Sequence, residues 1–117
     1  MPVKIRSLTK EKEFDRIFKH GRSYYCQILG LKCLANEIGQ NRLGIIISKK
    51  VSKKAVDRNK LKRRIKEIFR LWAEKLISNY DFLVITLPSK SVPRRISSYQ
   101  EITEALEQTL KKLKMFR

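Results

Sequence analysis

The apolar positions of this chain switch repeatedly between helical and strand spacing, and each switch marks an element. Leu8, Phe14, Ile17 and Phe18 recur at helical intervals, which predicts a helix over Thr9–Lys19. Thr9 suits its cap, and Gly21 suits a left-handed residue past its end. Ser23–Ala35, with Tyr24, Tyr25, Ile28, Leu29, Leu31, Cys33 and Leu34, reads as strand, and Gly30 within it marks a bulge or sharp bend. Asn36 to Asn41 is turn chemistry, so the strand Arg42–Ser48 is expected to form a hairpin with its predecessor. Leu43, Ile45, Ile46 and Ile47 make that strand nearly continuous in apolar residues, as for a strand covered on both faces.

A long helix is expected from about Ala55 to Ile77, ended by Asn79-Tyr80-Asp81. Phe82–Leu87 is the clearest buried strand, and the prolines at 88 and 93 make the next stretch a loop. Ser98-Tyr99-Gln100-Glu101 is a capping box opening a last helix, which carries Tyr99, Ile102, Leu106, Leu110 and Leu113 at helical spacing. The order is α-β-β-(β)-α-β-α, with no internal repeat and no linker. It predicts one domain over residues 1–117, an α/β sandwich of the α+β type with helices packed on a small, mostly antiparallel sheet.

Charge changes this picture from a fold to a partner. The 117 residues hold 28 Lys+Arg against 11 Asp+Glu, a formal net charge of +17. Such an excess costs stability through self-repulsion and bears on association rather than on topology. Hydrophobic residues make up 42% of the chain, too many for a disordered basic tail. No apolar stretch approaches the ~20 residues of a membrane span, and the N-terminus lacks a signal peptide's apolar region. A soluble, folded, polyanion-binding domain remains.

Catalytic material is scarce. Cys26 and Cys33, placed on one strand, would point to opposite faces about 23 Å apart at ~3.3 Å per residue, too far to bridge. Unbridged small hydrophobes fit a reducing, cytoplasmic compartment. His20 is the only histidine and falls in the last turn of the first helix, where a cation complements the helix dipole. There is no zinc spacing, and the four glycines form no phosphate loop. The expectation is no catalytic residue, no metal ligand set and no organic cofactor in the polypeptide.

The positive charge is concentrated. Residues 49–70 carry eleven Lys or Arg against Asp57 and Glu67, more than half of the net charge. On a helical wheel at ~100° per residue, Leu61, Ile65, Ile68, Phe69, Trp72 and Leu76 form the core face. Asn59, Lys62, Arg63, Lys66 and Arg70 occupy the adjoining quadrant, with Arg58 at its boundary. Solvated helices interleave Glu with Lys at i,i+4, whereas Arg58, Lys62, Lys66 and Arg70 are of one sign and repel each other. A polyanion relieves that repulsion. A plain solvated face and a membrane-surface helix are the alternatives, the latter weakened because the apolar face is needed to cover the sheet. RNA is favoured over DNA, since no helix-turn-helix partner or zipper sets this helix in a major groove.

From Ser48 to Arg70, the run Ser48-Lys49-Lys50-Val51-Ser52-Lys53-Lys54-Ala55-Val56-Asp57-Arg58-Asn59-Lys60-Leu61-Lys62-Arg63-Arg64-Ile65-Lys66-Glu67-Ile68-Phe69-Arg70 resembles the signature of the bacterial ribonuclease P protein component. Arg42-Leu43-Gly44-Ile45, and Leu8, Phe14, Ile17, Phe18 and Gly21, match the same family, so the resemblance spans essentially the whole chain. It implies a small basic subunit that binds a large catalytic RNA, one protein per RNA, and aids removal of the 5′ leader from precursor tRNA. The RNA and its magnesium ions carry the phosphodiester hydrolysis. The family's arginine-asparagine-arginine motif falls on Arg58-Asn59-Lys60, where lysine keeps the charge but loses the planar fork. Lys62, Arg63, Lys66 and Arg70 match the basic continuation toward the RNA, and Lys50, Lys53 and Lys54 the basic loop before it.

The family also implies a cleft between the first helix and the sheet for the single-stranded leader. Phe14 and Phe18 match its helix aromatics, with stacking on a base and plain core packing both open for them. Where relatives present a strand aromatic, this chain has Lys32, a phosphate contact in place of stacking. Tyr25 is available as a substitute, and Phe116 is assigned to the same cleft. The implied fold is ribosomal-protein-like, with a left-handed crossover through the long helix, against the right-handed rule that holds in ~98% of cases. Two rivals stand beside this reading: a ribosomal or ribosome-assembly protein with no role in cleavage, and a nuclease active without RNA.

Overall fold

A computed structural model describes residues 5–47, 50–88 and 98–117. In chain order the elements are β1 (Arg6–Ser7), α1 (Glu11–His20), β2 (Arg22–Tyr25), β3 (Leu29–Ala35), β4 (Arg42–Ile47), α2 (Ala55–Leu71), a 3-10 turn (Ala73–Lys75), β5 (Tyr80–Thr86) and α3 (Tyr99–Lys112). They form one five-stranded sheet in the order β1-β4-β5-β3-β2. Three helices cover it.

The expected hairpin between β3 and β4 does not form. β5 lies between them, antiparallel to β3 and parallel to β4. Phe82, Leu83 and Val84 are fully buried, and a strand so apolar gains most with both faces covered and both edges paired. The turn chemistry at 36–41 serves instead to straddle its entry. Asn41 accepts from Tyr80 N–H at 2.9 Å and donates to the Ile77 carbonyl at 2.9 Å, while Asn36 donates to Asp81 Oδ1 at 2.9 Å. The sheet is therefore mixed rather than mostly antiparallel: β1·β4 and β4·β5 are parallel, β2·β3 and β3·β5 antiparallel. The short β1 before α1 was not expected.

Alternate residues of β5 feed two layers. Phe82 and Val84 join Leu61, Ile65, Ile68 and Phe69 of α2 and Ile102, Leu106 and Leu110 of α3. Leu83 and Ile85 face the other way, against Ile17 of α1 and Leu8. Two crossovers thus run in the same direction across the sheet, β1-α1-β2 over one face and β4-α2-β5 over the other. They necessarily have opposite hands, so one breaks the right-handed preference, in accord with the left-handed hand expected of β4-α2-β5.

Several local expectations shift. α1 begins at Glu11, and its N-terminal backbone is closed by Glu13 Oε1, which accepts from Lys10 N–H at 3.0 Å, rather than by Thr9. Gly21 is extended, φ −73°, not left-handed. It is glycine because a Cβ there would sit 2.5 Å from the Ile17 carbonyl oxygen. The region 23–35 is two strands of a hairpin, broken at Cys26 to Ile28. Gly30 marks no bulge; it pairs with Tyr25, whose ring covers it, 2.2 Å from where a Cβ would stand. Cys26 consequently lies in the turn and Cys33 on β3, both packed in the α2–α3 layer and both free thiols. α2 ends at Leu71, earlier than Ile77, and the chain leaves through the 3-10 turn. Ser98 opens α3 with the expected capping box, its Oγ accepting from Glu101 N–H at 3.2 Å. The loop expected after Pro88 lies largely outside the described residues.

Candidate nucleic-acid interface

The register of α2 separates packing from charge. Leu61, Ile65, Ile68 and Phe69 are at most 2% exposed, so the main apolar stripe of the helix is used in the core. Asn59, Lys60, Lys62, Arg63, Lys66 and Arg70 are exposed, and of these cations Arg70 pairs with Glu67 one turn back. Such an exposed i,i+3 pair contributes little, so the face stays cationic.

Arg58 plays a different part from its neighbours. It is half-buried, and its Nη1 donates to the Ser52 carbonyl at 2.9 Å. Ser52 Oγ donates to Asp57 at 3.1 Å and accepts from Lys54 N–H at 3.2 Å. The basic loop is thereby folded back onto the first turn of α2, which holds exposed Lys50, Lys53 and Lys54 beside the helix face. In the sequence Ser52 and Asp57 look like ordinary polar spacers.

A second group lies on the opposite face of the sheet. Lys32 Nζ stands over the Phe18 ring at 5.7 Å and over the Tyr25 ring at 5.9 Å. Phe18 is 46% and Tyr25 48% exposed, unusual for large aromatics and suited to stacking. Phe14 is half-buried in the α1 layer, its ring 2.8 Å from where a Cβ on Gly44 would sit. Packing is its evident use. Phe116 does not join this group. It bridges to Leu76 and packs edge-on against Trp72 at 5.5 Å, on the α2–α3 side, so the sheet stands between it and Phe18. The C-terminal position alone could not show which face it would close.

Between the two surfaces a buried ionic network ties the layers. Asp81, 1% exposed, accepts from Arg42 Nε and Nη2, each at 2.7 Å, and from Asn36. Arg42 also pairs with Glu13 of α1. Tyr99 is another departure: it lies on the apolar stripe of α3 yet is 41% exposed, beside Lys60, Arg63, Arg64 and Glu67. At the first turn of a helix the stripe overhangs the core edge, which periodicity does not reveal.

Burial pushes the Cys33 thiol above its ordinary range, with Arg22 pulling it partly back, which makes it a poor nucleophile. Among the described residues no group of three or more His, Cys, Asp or Glu is placed to hold a metal ion. Nor is any described helix long and apolar enough to cross a membrane.

Relatives agree with that geometry. The sequence model of the Ribonuclease P family matches residues 2–114. A ribonuclease P protein component of Clostridium botulinum is 39% identical over 111 residues, covering 94% of this chain and 96% of its own. That of Clostridioides difficile is 32% identical over 110 residues, 93% and 92% of the two chains. The RNase P protein of Staphylococcus aureus superposes with a TM-score of 0.83 at 34% identity, over 97% of this chain and all of that one. The RNase P protein of Thermotoga maritima gives 0.76 at 31% identity, over 92% and 96%. With the charged helix, the mixed sheet and the sequence pattern in agreement over nearly every residue, the chain belongs to the ribonuclease P protein component family.

Proposed function

We propose that this protein is the subunit that binds the catalytic RNA of ribonuclease P and the 5′ leader of precursor tRNA, so that the leader is removed efficiently. The observation that carries this is the pairing of two unlike surfaces on opposite faces of one sheet. One is the cationic face of α2 with its folded-back loop, suited to phosphates of a large RNA. The other is Phe18 and Tyr25 about Lys32, suited to an unpaired strand, with bases on the rings and a phosphate on the ammonium. A ribosomal-type structural binder needs the first surface alone. In this reading magnesium belongs to the RNA and supplies the activated water, while the protein neutralises phosphates and positions the leader. The site of action is the cytoplasm.

The test is reconstituted cleavage at low magnesium. Adding the protein to the RNA subunit is expected to raise precursor-tRNA cleavage, and the protein alone is expected to be inactive. Cleavage by the RNA unchanged by the protein would favour the structural-binder rival, and cleavage without RNA the nuclease rival.

Two aromatic replacements separate stacking from packing. Phe18→Ala is expected to lower affinity for precursor relative to mature tRNA about tenfold with little change in thermal midpoint. Phe14→Leu is expected to lower stability by about 1 kcal/mol and leave that ratio intact. Competition binding and thermal melts on both variants check this; the reverse pattern would exchange the two roles.

A further inference from the structure

The α2–α3 groove adjoins the cationic face of α2 and shares Lys60 and Arg63 with it. It is lined by Lys60, Arg63, Arg64 and Glu67 on a flank of α2 and by Tyr99 on the first turn of α3. On the helical wheel Lys60 and Arg64 lie away from the quadrant of Lys62, Lys66 and Arg70, so the cations continue around the helix toward α3. The groove lining carries three cations and one carboxylate, Glu67, which pairs with Arg70. Tyr99 is presented from a fixed backbone: the Ser98–Glu101 capping box locks the turn beneath it, and Thr103 Oγ1 donates to its carbonyl at 2.8 Å. The Tyr99 ring is 41% exposed and borders the cations of the groove.

The geometry points to this groove as a further RNA contact, in which an unpaired nucleobase of the RNA subunit stacks on Tyr99 while flanking phosphates lie on Lys60 and Arg63. A π-face beside two cations is the combination that unpaired nucleotides recognise, and an aromatic ring with two rotatable bonds loses little entropy when covered. The assignment rests on the reading of the chain as a binder of that RNA. It makes the RNA footprint wrap two sides of α2 rather than one.

Affinity for the transcribed RNA subunit, measured by filter binding across a salt series, tests it. Tyr99→Leu is expected to bind about tenfold more weakly than the unmodified protein, with an unchanged slope of log K against log salt. Tyr99→Phe and Tyr99→Trp, which keep a stacking face, are expected to stay within about threefold of it. Lys60→Ala is expected to make the slope shallower by about one contact. Equal affinity of Tyr99→Leu and the unmodified protein would overturn the inference and leave the groove to another class of partner. So would an equal loss in the Leu, Phe and Trp variants, which would mark a packing role. Failure of the unmodified protein to bind the RNA subunit would instead remove the functional reading itself, and this inference with it.

Discussion

Replacing Lys62, Arg63, Lys66 and Arg70 together with alanine is expected to weaken binding to the RNA subunit by two or more orders of magnitude, on the order of the loss of four phosphate contacts. The slope of log K against log salt should fall by about three, because each neutralised phosphate releases a fraction of a counterion. The fold should survive. All four side chains are exposed, and the only described ion pair lost is the exposed Arg70–Glu67 contact. Relief of like-charge repulsion along the helix should hold the thermal midpoint or raise it. Salt-series binding with a thermal melt checks both halves. Weak binding with an unchanged slope would place these cations away from phosphate. Arg58 is left out of this set because its guanidinium holds the Ser52 carbonyl, so its removal would disturb the loop as well as the charge.

Asp81→Ala is expected to cost about 3–5 kcal/mol, the range for leaving one member of a buried ion pair without its partner. Asp81 takes two hydrogen bonds from Arg42 and one from Asn36 at the head of the central strand. Without it Arg42, its side chain 14% exposed, keeps Glu13 among the described residues, and Asn36 Nδ2 keeps the Gln40 carbonyl. Against a typical domain stability of about 5–15 kcal/mol this is a large fraction. Replacing Asp81 and Arg42 together with apolar residues of similar volume should recover much of the loss. Denaturant unfolding at constant m-value measures it, and a loss below about 1 kcal/mol for Asp81→Ala would show that the network is dispensable.

How much of this was legible in the chain depended on how local each feature is. The face structure of α2 could be read because 3.6-residue periodicity places Leu61, Ile65, Ile68 and Phe69 together whatever lies around them. The α3 capping box was equally visible, its partners being three residues apart. The pairing of β3 with β4 was misread because β5, the strand that separates them, comes after the whole of α2. Turn residues between two strands predict a hairpin only when no more apolar strand competes for the edge. Gly30 was misread for a related reason: its need for a missing Cβ comes from Tyr25 across the hairpin, not from its own backbone.

The two proposed surfaces divide along the same line. Their residue types were named from sequence and resemblance, but sheet order decided which of them meet. Lys32 joins Phe18 and Tyr25 because β3 turns alternate residues toward α1. Phe14, one helical turn before Phe18, packs over Gly44 instead. Phe116 was excluded because the sheet itself intervenes.

By itself, then, the sequence determined the excess of positive charge and the helix face that carries most of it, since net charge is a sum and helical faces follow from spacing alone. Only the tertiary structure decided which aromatics stay exposed, that Arg58 braces a loop while Arg63 faces outward, and that Tyr99 overhangs the core. Exposure and hydrogen-bond partners depend on what lies across the sheet or the neighbouring helix, and in this fold those neighbours are distant in the chain.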